Sequence, residues 1–329
     1  MKKKTSKVFL VIPTIRNLDF LRAWGNAFST CHLIIVEDRP DKLVKTPGLK
    51  TASVSHFSHK DIDRDLGKSS WIISRKNAGI RSYGFWRAYR AGADVIITLD
   101  DDCYPAENSF IEKHLSNLSF QAPDGWFATY PDPKWMYTRG FPYNIREKFP
   151  VVISHGLWSG TLDLDARIEQ KLERPLNKKP YPPIRFVIPF DYFYPMSSMN
   201  LAFKREITPL MFFPMMGRRP DGKSWGYNRF DDIWAGIFSK KIMDHLGLAV
   251  VSGSPFVEHK KSSKTKANAK KEFSGMGINE ILWKETVKVK LTKKTPKECY
   301  VELAQKIDFP KNKYFEELRR AMPVWANLF

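Results

Sequence analysis

Residues 94–103 read DVIITLDDDC: a run of strand-forming residues that stops in three consecutive aspartates, Asp100, Asp101 and Asp102. Val, Ile and Thr favour extended backbone, and a continuous rather than alternating apolar run marks a strand covered on both faces. Three adjacent carboxylates repel one another and need a partner. Alternate side chains of a strand share a face, so Asp100 and Asp102 are expected to point one way and Asp101 the other, unless the turn that begins there reassigns them. Two same-face carboxylates facing open space suit a hard divalent cation, Mn2+ or Mg2+, which prefers oxygen ligands and bridges to a diphosphate.

Upstream, the same pattern recurs. VFLVIPT (8–14), HLIIVED (32–38) and SWIIS (70–74) read as strands, each breaking into polar residues at its C-terminal end. A helix beginning near Asn77 carries Ile80, Gly84, Ala88 and Ala91 at helical spacing, with Arg87 and Arg90 in its last turn and Gly92 to cap it. This alternation predicts an α/β fold with a parallel sheet, and ligands of such sheets bind beyond the C-terminal strand ends. One crevice is therefore expected to gather Pro13, Thr14, Arg16, Glu37, Asp38, Arg75, Asn77 and Asp100–Asp102.

The rest of the chain reads less clearly. Roughly 120–230 is rich in Pro, Gly and aromatics and reads as loop-heavy structure shaping a substrate pocket. A helix is expected at about 231–246, with Ile233, Ile237, Ile242 and Leu246 on one face, Asp231 and Asp232 at its N-terminus and Gly247 ending it. LAVVSG (248–253) reads as a strand. After His259, KKSSKTKANAKK reads as a basic, mobile loop whose Lys260, Lys261, Lys264 and Lys266 could fold over a diphosphate. Two helices, about 296–307 and 311–326, close the chain.

Composition narrows the function. The 329 residues are 43% hydrophobic and 14% aromatic, which excludes a disordered or fibrous protein. A net charge of +19, from 54 Lys+Arg against 35 Asp+Glu, fits nucleic acid, a membrane surface or phosphate-bearing substrates. No nucleic-acid motif accompanies it, and a basic nucleic-acid-binding protein is the weakest of the candidate functions. Three widely spaced cysteines suggest neither a disulfide framework nor a structural zinc site and fit a reducing cytoplasm. The apolar run near the N-terminus ends at Pro13, too short for a signal peptide, and no stretch reaches the roughly 20 apolar residues of a membrane span.

Longer strings carry a resemblance. VIPTIRNLDFL (11–21), HLIIVED (32–38), LDDDC (99–103), RGFPYNIRE (139–147), SHGLW (154–158), PMSSMNLAF (195–203), RFDDIWAG (229–236), DHLGL (244–248) and CYVELA (299–304) occur in this order. Together they closely resemble the reversibly glycosylated polypeptides, or UDP-arabinopyranose mutases, over nearly the whole chain. The resemblance implies a GT-A-like (Rossmann-like) nucleotide-diphospho-sugar fold over 1–290 with a C-terminal helical extension over 291–329. It implies a UDP-sugar substrate, a divalent metal and no redox cofactor, interconversion of pyranose and furanose sugar, and self-glycosylation at Arg139. Asp100–Asp102 would hold ribose and metal–diphosphate, His259 would be the late metal ligand, and Asp231 and Asp232 would face the sugar. Asp163 and Asp165 join them as carboxylates able to activate Arg139. His155 and Trp158 are further candidates for sugar contact, equally readable as a buried hydrogen-bonded histidine and a core tryptophan, and Asn200 is a candidate for hydrogen-bonding the substrate or a turn residue. A metal-dependent transferase acting on a separate acceptor shares all these features, and a homo-oligomer is compatible with them. Ser197–Ser198 stand where the family has Cys–Gly, a departure that bears on sugar identity.

Overall fold

Strand β1 (Val8–Thr14) is buried along its whole length, and its side chains alternate between two cores. Phe9 and Val11 enter one, Val8, Leu10 and Ile12 the other. That is the period of two expected of a strand covered on both faces. The computed structural model describes residues 6–122, 139–144, 149–171, 177–178, 184–261 and 265–329.

The remaining elements follow in chain order. They are β2 (His32–Glu37), β3 (Ser53–Phe57), α1 (His59–Leu66), α2 (Arg81–Arg90), β4 (Val95–Leu99), β5 (Cys103–Pro105), α3 (Phe110–Leu118) and β6 (Gln121–Ala122). The second half holds β7 (Phe149–Thr161), α4 (Ala166–Lys171), β8 (Asn177–Lys178), β9 (Arg185–Ile188), β10 (Asn200–Lys204), α5 (Asp231–His245), β11 (Ala249–His259), α6 (Thr265–Lys288), α7 (Pro296–Lys306) and α8 (Lys313–Ala326). One mixed sheet runs β3-β2-β1-β4-β10-β7-β11-β5. β3, β2, β1 and β4 are mutually parallel, β10 is antiparallel to both β4 and β7, and β7 and β11 are parallel. The fold is α/β as expected, with the ends of β1, β2 and β4 opening on one edge.

Helix α2 lies on β1 and β2 because Gly84 removes a side chain where there is no room. A Cβ there would stand 2.4 Å from Val11 Cγ1 and 2.9 Å from Val36 Cγ2. Gly92, at φ +76, ends the helix in the left-handed conformation that glycine takes without strain. Beyond the sheet, α5, α7 and α8 join α2 in the first core, where Trp234, Tyr300, Leu303 and Trp325 are fully buried. Arg319 of α8 donates to Ala304 O, Gln305 O and Ile307 O, satisfying the open carbonyls at the end of α7.

Four expectations change. SWIIS (70–74) is not a strand: Gly67–Ile72 is a 3-10 helix, and Ile72 and Ile73 are buried by packing with α1 and α8. The third parallel strand is β3, an exposed edge whose half-polar SVSHF has no apolar signature. The middle is irregular over 189–199 and 211–230, as expected, but it also supplies β7 and β10 at the sheet centre, and 123–138, 145–148, 172–176 and 179–183 lie outside the described residues. The polar segment after His259 becomes helix from Thr265, because Ala267, Ala269, Lys270, Lys271 and Glu272 are good helix formers. Lys264 lies outside the described residues. Finally, α5 is buried well beyond one face, down to Lys240, whose Nζ donates to Asp244 at 2.6 Å and to Pro189 O at 2.9 Å.

Candidate active site

The crevice is built by strand ends. At the last residue of β1, Thr14 Oγ1 accepts from Arg16 N at 3.0 Å and donates to Asp101 Oδ2 at 2.6 Å. The Arg16 guanidinium pairs with Asp101 and lies 3.7 Å from Asp102. Asp100 turns the other way, accepting from buried Arg81 Nη2 at 2.5 Å. Asp102 faces His259 Nε2 at 3.9 Å. So Asp100 and Asp102 do not act as a same-face pair. β4 ends at Leu99 and Cys103 N closes a turn onto Asp100 O at 3.2 Å, so strand alternation no longer applies.

At the end of β2 the two acidic residues divide. Glu37 is fully buried, and its Oε2 accepts from Leu43 N, Val44 N and His56 Nε2 at 2.9–3.0 Å, pinning the following loop. Asp38 accepts from Asn77 N at 3.0 Å and His59 Nε2 at 2.7 Å. Asn77 carries the connection onward, its Nδ2 reaching Asp231 Oδ1 at 3.3 Å.

Arg75 is the most informative member of this group. It is 4% exposed and donates through Nη2 to Asp63 at 2.7 Å, yet its Nε and Nη1 have no hydrogen-bond partner. Burial pulls its pKa down, against the pull of Asp63 and Asp38. Its backbone is clamped by Arg218, N to O in both directions, at 3.0 and 2.7 Å. Gly217, at φ +69, permits this approach: a Cβ there would meet Arg75 O at 2.6 Å.

The acidic pair opens α5. Asp232 Oδ2 accepts from both Ser198 N and Ser198 Oγ at 3.0 Å. Burial raises the pKa of both carboxyls, and the charge of Asp232 adds to the shift of Asp231, which reaches about 7. Burial and the neighbouring charge thus work against full ionisation of the pair, held in part by Asn77 and Ser198. Arg229, at φ +65, lies 3.6 Å from Asp163 and donates to Glu272 of α6 at 2.7 Å. Burial raises Asp163 in turn, opposed by Arg229, His259 and Lys261.

Other expected site residues sit elsewhere or do other work. His155 is buried, with Nδ1 donating to Ser252 Oγ at 2.9 Å and Nε2 accepting from Ser197 N at 3.2 Å. Asn200 is fully buried, accepting from His114 and donating to Leu157 O and Pro255 O. Asp165 accepts from Arg167 N and Ile168 N at the start of α4. Trp158 is partly buried in the second core, and Pro13 is buried within β1. Lys261 is held by Glu169 at 2.5 Å, whereas Lys260 is exposed, 4.3 Å over the Tyr104 ring. Arg139 is exposed, ahead of Gly140 at φ +93. Sequence reading missed Arg81, Arg229 and Glu272. Arg81 could have been suspected as a lone charge opening an otherwise apolar helix face.

As a metal site the crevice offers two donors. His259 Nδ1 donates to Thr161 O at 2.9 Å, which leaves the Nε2 lone pair facing Asp102. Among the described residues no three His, Cys, Asp or Glu side chains converge as a metal-binding group. Two protein ligands suit an ion that completes its shell with substrate phosphate and water.

The family model described as reversibly glycosylated polypeptide matches residues 3–329. UDP-arabinopyranose mutase 1 of Arabidopsis thaliana is 37% identical over 96% of this chain and 90% of its own length. UDP-arabinopyranose mutase 1 of Oryza sativa subsp. japonica is 36% identical over 96% and 88%. Among solved structures, glucosyl-3-phosphoglycerate synthase from Mycobacterium tuberculosis, in complex with Mn2+, UDP-glucose and phosphoglyceric acid, aligns over 93% of this chain and 82% of its own. Its identity is 12% and its TM-score 0.41. The match to the family model from end to end, and the plant relatives along almost the whole chain, settle the lineage: this chain belongs to the reversibly glycosylated polypeptide family.

Proposed function

We propose that this protein interconverts the pyranose and furanose forms of a UDP-bound sugar, as a UDP-arabinopyranose mutase in a GT-A-type arrangement. The observation that carries the nucleotide half of this reading is Arg75, a buried cation with two unpartnered nitrogens beside Asp38. A buried charge with open donors is costly until an acceptor-rich ligand arrives. Thr14, Asp38, Arg75 and Asn77 would hold the nucleoside, with Arg16, Asp101 and Lys260 near the diphosphate. Asp102 and His259 would hold a divalent ion, Mn2+ or Mg2+, which when bound would neutralise UDP as a leaving group.

On the sugar side, Asp163, Asp231, Asp232 and Arg229 gather around one position. Ring contraction requires the C1–O bond to UDP to break with its electron pair leaving on UDP, the ring to rearrange, and UDP to return to C1. A covalent sugar on Arg139 would divide this into two steps. Guanidinium stays protonated in water and is a poor nucleophile, so Arg139 would need a carboxylate to take its proton. Among the described residues no ion pair supplies one, and Asp163, Asp231 and Asp232 are the carboxylates of this site. The chain's three free cysteines are all buried, which accords with a cytoplasmic enzyme. Among the described residues no helix is long and apolar enough to cross a membrane.

The test is incubation with UDP-arabinopyranose and Mn2+, with chromatography of the nucleotide sugar and intact mass of the protein. Conversion to the furanose form is expected; release of free UDP with sugar passed to another acceptor would favour a transferase instead. An Arg139→Lys protein with full conversion would remove the covalent step from the reading.

A further inference from the structure

Arg81 is a charged residue almost without solvent, 1% exposed, at the start of α2. Its guanidinium touches three separate parts of the chain. Nη2 donates to Asp100 Oδ1 at 2.5 Å, and Nη1 to Thr98 Oγ1 at 2.9 Å and Ser198 O at 2.6 Å, while Nε donates to Ala78 O at 3.0 Å. Ser198 in turn offers its N–H and hydroxyl to Asp232. An unbroken chain of contacts therefore runs Asp100–Arg81–Ser198–Asp232. It joins the turn after β4, the residues before β10 and the head of α5.

Burying a guanidinium is expensive, and one partly exposed carboxylate offsets only part of it. What the planar fork supplies is fixed geometry. Three donor directions hold three elements in one frame, which the single ammonium of a lysine cannot do. We propose that Arg81 is a positioning residue that sets the separation between the aspartate turn after β4 and the acidic pair Asp231–Asp232. If the site works as proposed above, that separation is the distance between the leaving diphosphate and the groups that handle the sugar. A misplacement of about 1 Å there costs on the order of 100-fold in rate.

Arg81 also faces the pair electrostatically. The groups around the pair are Arg81 from α2, Asp100 after β4, Asp163 after β7, Ser198 before β10, Arg229 ahead of α5, Asn77, and Tyr314 of α8. Arg81 favours the ionised form of both carboxyls, against burial and their mutual repulsion.

The test uses the full chain with Arg81→Lys and Arg81→Met. In Arg81→Lys the charge stays and the fork is lost. kcat is expected to fall at least about tenfold while KM for the UDP-sugar stays within about threefold. Wild-type kcat, or a loss confined to KM, overturns the proposal. In Arg81→Met the charge is lost as well. Carbon-13 signals of labelled aspartates, assigned with Asp231→Asn and Asp232→Asn, should show the pair titrating about one pH unit higher. In Arg81→Lys the midpoint should return to that of wild type. An unmoved midpoint in a folded Arg81→Met protein overturns the proposal; if that variant does not fold, the kcat-against-KM split in Arg81→Lys decides it. The carbon-13 measurement needs no turnover. A wild-type chain that converts no UDP-arabinopyranose therefore counts against the mutase reading, while Arg81 is still judged by the titration.

Discussion

Two regions of this molecule are dense in polar side chains, and they differ in how completely those groups are satisfied. Inside the sheet, His114 Nε2 donates to Asn200 Oδ1 and its Nδ1 accepts from Ser154 Oγ, both at 2.9 Å. Ser154 Oγ also accepts from Asn117, and Asn200 spends both amide hydrogens on carbonyls. His155 is closed in the same way by Ser252 and Ser197. At the strand-end crevice, Arg75 keeps two idle nitrogens, and Asp231 and Asp232 share a site where they repel. A satisfied knot holds architecture; an unsatisfied one waits for something.

Substitutions can break this contrast. The largest effect is expected at Asp102→Asn, which removes the carboxylate facing His259 and keeps a side chain of the same shape. Conversion of UDP-arabinopyranose should fall by about 100- to 1000-fold, with an unchanged melting temperature. Conversion within threefold of wild type would separate Asp102 from the chemistry. Asn200→Ala should do the opposite. It strands His114 Nε2 and two carbonyls inside the sheet, so unfolding by urea should show a loss of about 3–5 kcal/mol. UDP affinity of the protein that remains folded should hold. A silent Asn200→Ala would mean that the knot is not structural, and His155 and Asn200 would return as candidates for sugar contact.

This contrast also explains what the sequence could tell. β1, β2 and β4 were legible because burial on both faces writes an unbroken apolar run, and the polar break after each marked the crevice edge. β7 and β10 were not, because Ser154, His155 and Asn200 interrupt their apolar pattern, and nothing local shows that these groups satisfy one another across the sheet. The same blindness made His155 and Asn200 candidates for ligand contact. SWIIS failed for the converse reason: helices can bury an apolar run as well as a sheet does. Of the candidate site, Asp100–Asp102 stood out by type and position, whereas the roles expected of Asp231, Asp232 and His259 came only from the family resemblance. The role of Arg81 depends on Ser198, 117 residues away, and no local pattern encodes that.

A sharper version of the comparison comes from Arg75→Met. Removing a half-used buried cation breaks one ion pair, to Asp63, whose side chain is 52% exposed, while Asp38 keeps its hydrogen bonds from Asn77 and His59. Stability should stay level or rise slightly in urea unfolding, while UDP binding measured by calorimetry weakens by about 1.5–3 kcal/mol, the worth of hydrogen bonds to a charged group. A protein that loses stability and keeps its affinity would place Arg75 with the structural knot.

The smallest effect tests the knot through pH. Burial holds the pKa of His114 down to about 3 and that of His155 down to about 4. In the unfolded chain both titrate near about 6.5. Below that pH the unfolded chain takes up protons that the folded one refuses, so acid favours unfolding. The contribution is complete above about pH 6.5 and is lost progressively as pH falls towards the folded values. The limiting slope is about 1.4 kcal/mol per pH unit for each histidine. Asp231, raised to about 7, takes up its proton in the folded state over the same range and opposes this slope. The test is therefore a difference: from pH 7 down to pH 5, His155→Gln, which can still donate to Ser252 and accept from Ser197, should gain urea stability relative to wild type by one histidine's share of the slope. If the slope in His155→Gln matches that of wild type, the imidazole of His155 is not the neutral, closed group that its two hydrogen bonds describe. It would then be free to take a proton, which is the behaviour expected of the crevice and not of the sheet.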